Sequence, residues 1–254
     1  MAGIKITAKG TSFIGRAIGF NSPVSDGLLG VYMGGDGELV NIADGGVASS
    51  NVGTPTKINT FSTELDLNNY IDTHITPNTA ESTLFVVAKR YRGAAYSEPL
   101  GCWTNLTAGA VAILGRALIL EPNGVLNGIL NVWNGSASAN ANAVIAADSG
   151  IPNPSLTPSA GVWRAMVQRI STTSNKTQDL TAGTVAETTF PTGYSPDVRG
   201  VESHKIGRPK TSSDGSGKSH VMLAFVFNRA LTDSELADLY AYAQGFASRR
   251  GITI

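Results

Sequence analysis

The stretch from His220 to Ile254, HVMLAFVFNRALTDSELADLYAYAQGFASRRGITI, constrains the fold of this chain more than any other. It opens with a segment whose two strand faces are both apolar: Val221, Leu223, Phe225 and Phe227 alternate with Met222, Ala224 and Val226. Successive side chains of a strand point to opposite faces, so this strand needs cover on both sides. The next residues spell out a helix start. Thr232 is the N-cap, Glu235 closes a capping box three residues on, and Leu231 and Leu236 form a hydrophobic staple. Leu236, Leu239, Tyr240, Ala243 and Ala247 recur at helical spacing and form one apolar stripe. Arg249 and Arg250 suit the negative end of the helix dipole, and Gly251 supplies the stop. The spacing predicts a helix laid across the outer face of the strand that precedes it.

The rest of the chain reads as short strands between turns. Thr83–Arg90, Ile129–Trp133, Trp163–Ile170 and Val185–Phe190 are predicted strands, while Phe61–Tyr70 fits no single pattern. Val111–Leu114 and Leu118–Leu120 are split by Gly115 and Arg116, a predicted bulge or bend. Asn134-Gly135 signals a hairpin that lets Asn140–Ala147 pair back across Ile129–Trp133. Thr211–Ser219 reads as a polar loop. With 254 residues, 42% of them hydrophobic, the chain can bury a large core in one sandwich. Gly 29 against 15% charged residues favours turns over long helices. The formal net charge is zero, so the total recommends neither nucleic acid nor an acidic membrane as partner. One cysteine, Cys102, excludes an intrachain disulfide and a cysteine zinc cluster. MAGIKITAKGTSFIGRAIGF gathers no apolar run suited to an export signal, and no segment approaches the ~18 apolar residues of a membrane span.

FNRALTDSELADLY (227–240) after a buried strand resembles the closing signature of the laminin-G-like, concanavalin A-type lectin and glucanase superfamily. Other segments agree in order: LLGVYMGGDGELVNIADGGVASSNVGTP (28–55), STLFVVAKR (82–90), SAGVWRAMVQRIS (159–171) and HKIGRP (204–209). The resemblance spans residues 24–254 and implies an all-β fold: an antiparallel β-sandwich, jelly roll in type, with a short C-terminal helix packed on it. That fold serves binders, enzymes and structural proteins alike, so function must be argued from a site.

Three groups of residues are candidates for chemistry. Glu64-Leu65-Asp66-Leu67-Asn68-Asn69 resembles the ExDxxE signature of the superfamily's glucanases, in which carboxylates share one strand face. Retaining hydrolysis needs a nucleophile and an acid/base carboxyl roughly 5–5.5 Å apart. Asn69 stands where the acid/base is expected, so a non-enzymatic protein is expected. Calcium is bound by oxygen ligands from loops in laminin-G-like domains. Asp36, Asp44, Asp148, Asp197 and Asp214 sit in Gly- or Pro-rich turns, although none has dense calcium-loop spacing and turn aspartates commonly bond their own backbone. No cofactor is expected. Gly217-Lys218-Ser219 lacks both the earlier glycine and the following helix of a phosphate loop. His74, His204 and His220 show no ligand pattern, the serines lack a nucleophile-elbow motif, and no Ser–His–Asp set can be assigned.

Sugar binding in β-sandwiches uses an exposed ring plus polar side chains that orient hydroxyls. Trp103, Trp133 and Tyr194, beside Asn, Gly, Thr or Ser, are the candidate carbohydrate contacts, whereas Trp163 is expected in the core. Residues 1–23 stand apart as an N-terminal arm. They carry Lys5, Lys9 and Arg16 with no acidic residue, and they hold Ile4, Ile6, Phe13, Ile14, Ile18 and Phe20 without a period. So many large apolar side chains need burial, either in the domain's own sheet or against a neighbouring subunit. The chain is similar to lectin-like subunits of bacteriophage particles: tail fibre, baseplate or head decoration. That similarity implies a virion protein assembled in host cytoplasm, homo-oligomeric, joined to other particle subunits through the arm and gripping a surface glycan. The alternative is a free carbohydrate-binding lectin.

Overall fold

The computed structural model describes residues 21–37, 39–93, 95–102, 106–108, 111–113, 115–151, 158–199, 202–208 and 217–254. The arm expected at 1–23 therefore lies almost wholly outside the described residues, as do Trp103, Asp214 and most of the loop expected at 211–219. Two antiparallel sheets stack face to face. The first runs, strand by strand, Thr184–Thr189, Ser174–Asp179, Val162–Ile170, Ser82–Arg90, Ser219–Phe227, Ser62–Leu65 and Thr56–Asn59, with Leu28–Met33 also paired to the closing strand Ser219–Phe227. The second runs Ser138–Asn140, Leu126–Trp133, Arg116–Leu120, Ser97–Gly101, Lys205–Ile206, Tyr70–Asp72 and Ser50–Val52. Ala143–Ile145 and Ser195–Pro196 pair with Leu126–Trp133 as well. The all-β sandwich expected from the sequence is the fold observed. No helix among the described residues is long and apolar enough to cross a membrane.

Both faces of the closing strand are buried, as its composition requires. Val221, Ala224 and Val226 face the second sheet and meet Leu84, Val86, Leu100, Leu118 and Leu126 in the interior. Met222, Leu223, Phe225 and Phe227 face outward. Simple alternation grouped Val221 with Leu223, and here the structure corrects the expectation. Val221 pairs with Ala88 and Leu223 with Val87, so Met222 is an extra residue on this strand. A bulge of this kind reverses the facing of everything on one side of it.

The helix, Asp233–Ser248, covers that outward face. Leu236, Leu239, Ala243, Phe246 and Ala247 are buried in one cluster with Val31, Phe85, Val87, Phe225 and Phe227. Tyr240, read from the sequence as part of the stripe, packs half-buried against the same cluster, and Phe246 is a buried member that the stripe left out. The capping box is complete: Glu235 N–H donates to Thr232 Oγ1 at 3.3 Å and Thr232 N–H donates to Glu235 Oε2 at 2.8 Å. Arg229 donates to both oxygens of Glu235. That pairing, aided by the Thr232 backbone N–H, pulls the carboxyl down to about 2. The helix stops where Gly251 takes φ +72°, a conformation costly for residues with a Cβ.

Asn134-Gly135 turns the hairpin as read from the sequence, with Gly135 at φ +97° and Ser138–Asn140 returning against Asn131–Trp133. The ambiguous stretch near 61–70 resolves into Ser62–Leu65 in the first sheet and Tyr70–Asp72 in the second, joined by a turn across the sandwich edge. Trp163, expected in the core, stands half-buried at the rim of the helix-side cluster. It packs against Phe61, with Lys89 Nζ 5.6 Å from its ring centroid.

Candidate functional site

The glucanase-like carboxylates are occupied by structural work. Glu64 sits near the edge of the first sheet and accepts from Lys218 Nζ at 2.5 Å, with His220 Nε2 at 2.8 Å from its other oxygen. Asp66 Oδ1 lies just past the strand and accepts the Asn68 and Asn69 backbone N–H groups and Asn69 Nδ2, each at 2.9 Å. Asn69 Oδ1 in turn accepts the Thr54 N–H at 2.8 Å. Asp66 thus pins a turn rather than facing Glu64 across a substrate groove. The nucleophile and acid pair of a glycosidase is not assembled here.

Most of the turn aspartates have cationic partners. Asp36 pairs with Lys57, Asp148 with Arg164 at 2.5 Å and Asp197 with Arg199 at 2.8 Å, while Asp44 is exposed in a loop. Among the described residues no three His, Cys, Asp or Glu side chains come together as a metal site.

His204 is buried at 1% exposure between Ile75 and Thr73, whose N–H and hydroxyl both donate to its carbonyl. Burial, helped by Arg116 and Lys205, pushes its imidazole down to about 3. The unfolded chain therefore binds a proton below pH ~6.5 that the folded chain refuses until about pH 3. Stability from this group is whole above that window and falls as pH drops through it, by at most ~1.4 kcal/mol per pH unit. Urea midpoints from pH 7 to pH 4.5 are expected to fall more steeply for the wild type than for His204→Gln. Parallel curves would contradict the neutral buried state.

Of the three candidate sugar contacts, Trp103 lies outside the described residues. Tyr194 packs half-buried on the interior cluster of Leu130, Val132, Ala141, Ile170 and Phe190. Trp133 has the opposite placement. Antiparallel partners share a face, so Trp133 lies with Ser138 and Ser195 on the outer side of the second sheet, away from interior Val132. Over its ring lies the guanidinium of Arg199, 3.5 Å from the centroid.

Arg199 does not reach that position by chance of rotamer. Asp197 is 1% exposed and accepts from Arg199 Nε at 3.0 Å, Nη2 at 2.8 Å and the Arg199 backbone N–H at 3.0 Å. Asn131, on the same outer face as Trp133, donates from Nδ2 to Asp197 at 3.3 Å and from its backbone carbonyl accepts the Asp197 N–H at 2.9 Å. The bonds to Asp197 raise the Arg199 guanidinium above its usual range. The ring, the cation and their support thus form one preorganised unit, with about a third of the Arg199 side chain still exposed (35%). Asp197 uses the Nε–Nη2 edge of the fork and leaves the Nη1–Nη2 edge, which matches a carboxylate in geometry. Sequence reasoning picked out Trp133 and missed Arg199, which it could not place over a ring carried by another strand.

No protein-family model matches the sequence, and a search of curated proteins finds no relative. Solved structures with the same fold do match. The ligand-binding domain of botulinum neurotoxin serotype D, in complex with N-acetylneuraminic acid, aligns with a TM-score of 0.61 at 10% identity over 87% of this chain and 51% of that one. The binding domain of botulinum neurotoxin DC in complex with SialylT gives 0.62 at 10% identity, over 87% and 52%. The Trypanosoma rangeli sialidase in complex with sialic acid gives 0.52 at 13% identity, over 84% and 32%. This chain spans about half the length of the neurotoxin domains it matches. At these identities the likeness shows the β-sandwich fold.

Proposed function

We propose that this domain is a glycan-binding module without glycosidase chemistry that takes a carboxylate-bearing sugar on the Trp133–Arg199 surface. The observation that carries the reading is the clamped cation over the aromatic ring, held by buried Asp197. A fork fixed in advance loses little entropy on binding a carboxylate. Half-buried Trp133 offers apolar contact to the sugar ring, and Ser138, Ser195 and Asn140 share the face as hydroxyl and amide partners. The sialic acid named in the neurotoxin-domain and sialidase structures belongs to the same chemical class and supports the choice.

The experiment is a glycan array carrying sialylated and neutral sugars, probed with a multivalent form of the protein because a single shallow site binds weakly. Sialylated glycans are expected to be retained. Arg199→Lys, which keeps the charge and loses the fork, should weaken retention at least tenfold, and Trp133→Ala comparably. Undiminished binding by Arg199→Ala, or preference for neutral sugars, would overturn the assignment.

We further take the domain as laminin-G-like, and as a subunit of a bacteriophage or phage-like particle with the segment 1–23 docked on a neighbouring copy or subunit. Many copies on one particle would turn weak sites into firm grip. A free lectin of the same fold differs in one respect: it would not purify with virions.

A further inference from the structure

At the far edge of the second sheet from Trp133, three side chains meet that spacing alone did not join. Ser50–Val52 is the terminal strand of that sheet among the described residues, and Ser50 lies directly across from Asp72. Ser50 Oγ is 2.9 Å from His74 Nε2. His74 Nδ1 is 3.5 Å from Asp72 Oδ1, on the other side of the ring. Asp72 is itself fixed: Oδ1 accepts from Ser203 Oγ at 2.6 Å and from the His74 backbone N–H at 2.9 Å, and Oδ2 accepts from Lys205 Nζ at 2.5 Å.

Two independent features single out the histidine of this trio. His74 adopts φ +56°, a left-handed conformation that a residue with a Cβ holds at a cost of order 1 kcal/mol. The bond from its N–H to Asp72 maintains that conformation, which sets the imidazole between the serine and the carboxylate. His74, Ile75 and Thr76 also line a cleft of about 230 Å³, with Asp44, Gly45, Gly46 and Val47 among its other walls. The glycine backbones leave room for a small group beside the histidine.

We propose that Ser50 is a nucleophile toward short-chain carboxylic esters, such as an O-acetyl group on a sugar, with His74 as general base and Asp72 as its positioning residue. Asp72 favours the tautomer with hydrogen on Nδ1, so that Nε2 accepts the Ser50 proton. Ser50 Oγ attacks the ester carbonyl carbon, the proton passes through His74 Nε2 to the departing alkoxide, and the alcohol leaves an acyl-serine. Water then gives its proton to His74 Nε2 and attacks the acyl carbon. The carboxylic acid departs, the proton returns to Ser50 Oγ, and ester plus water has become acid plus alcohol. The oxyanion formed in each step needs N–H donors, and an edge strand presents alternate backbone N–H groups with no strand partner.

This goes beyond the glycan reading and uses none of its residues, so the two can fail separately. The full chain is treated with diisopropyl fluorophosphate and its peptides are mapped by mass. One adduct at Ser50 is expected, absent in Ser50→Ala and formed at least 100-fold more slowly in His74→Asn, where asparagine tolerates the same backbone conformation but is no base. Turnover of p-nitrophenyl acetate should fall in both variants to the rate of free imidazole at equal concentration. Both side chains are exposed, and unchanged melting curves will show that the fold is kept. No adduct at Ser50, adducts spread over other serines, or undiminished labelling of His74→Asn would each overturn the proposal. Retained sialoside binding beside any of those results would leave the Trp133–Arg199 reading standing.

Discussion

Removing residues 229–254 is expected to leave a chain that is insoluble or molten. The deletion strips Leu231, Leu236, Leu239, Phe246 and Ile254 from the cluster that covers the outer face of the first sheet. It leaves Phe85, Val87, Val167, Leu223, Phe225 and Phe227 facing water on adjacent strands. Full burial of one large apolar side chain contributes roughly 1.5–3 kcal/mol, and a domain of this kind keeps only ~5–15 kcal/mol of net stability. Losing five such contacts on one side, with the facing residues uncovered as well, exceeds that margin. Near-ultraviolet circular dichroism and a thermal melt check the outcome. A cooperative transition at the full-length temperature would show that the helix is an appendage.

The second large effect is expected inside the sandwich. Arg90 ends a central strand of the first sheet with no exposed surface, and its Nη1 donates to the equally buried Asp179 at 2.8 Å. Its remaining donors reach Gly124 O at 2.8 Å and Ala146 O at 2.9 Å, backbone on the second-sheet side. One guanidinium therefore ties the two sheets together. Removing one partner of a buried pair typically costs 3–5 kcal/mol, because the other is left charged in a dry interior. Asp179→Ala should lower the unfolding free energy by about that amount in urea. Replacing both partners with apolar residues of similar size, Arg90→Met with Asp179→Leu, should recover part of it, since the stranded charge goes too. A loss below ~1 kcal/mol in the single variant would mean that water reaches the pair.

The sequence by itself determined the elements whose burial is mostly apolar. The closing strand, Ser82–Arg90 and Val162–Ile170 are legible because transfer of hydrocarbon from water depends on the side chain and not on the partner it meets. The helix start was equally legible, since a capping box closes within four residues. Ser174–Asp179 was missed for the opposite reason. Its buried face is Asn175, Thr177 and Asp179. Those polar groups are tolerable inside only because Asn175 donates to Gly128 O and Ala141 O and Asp179 meets Arg90, far away in the chain. The bulge at Met222 was invisible too, because register belongs to a pair of strands and not to one.

The same division holds for the candidate sites. Trp133 and its Asn134-Gly135 turn are local and could be read. The guanidinium over that ring, anchored through an Asn131–Asp197 contact 66 residues apart in sequence, could not. Ser50 likewise meets Asp72 and His74 only when the edge strand Ser50–Val52 pairs with Tyr70–Asp72. Hydrophobic pattern and local capping write the elements into the chain, but hydrogen bonds and ion pairs between polar side chains are directional and need the partner in place. The tertiary structure alone decided which polar residues meet, and therefore where chemistry can occur.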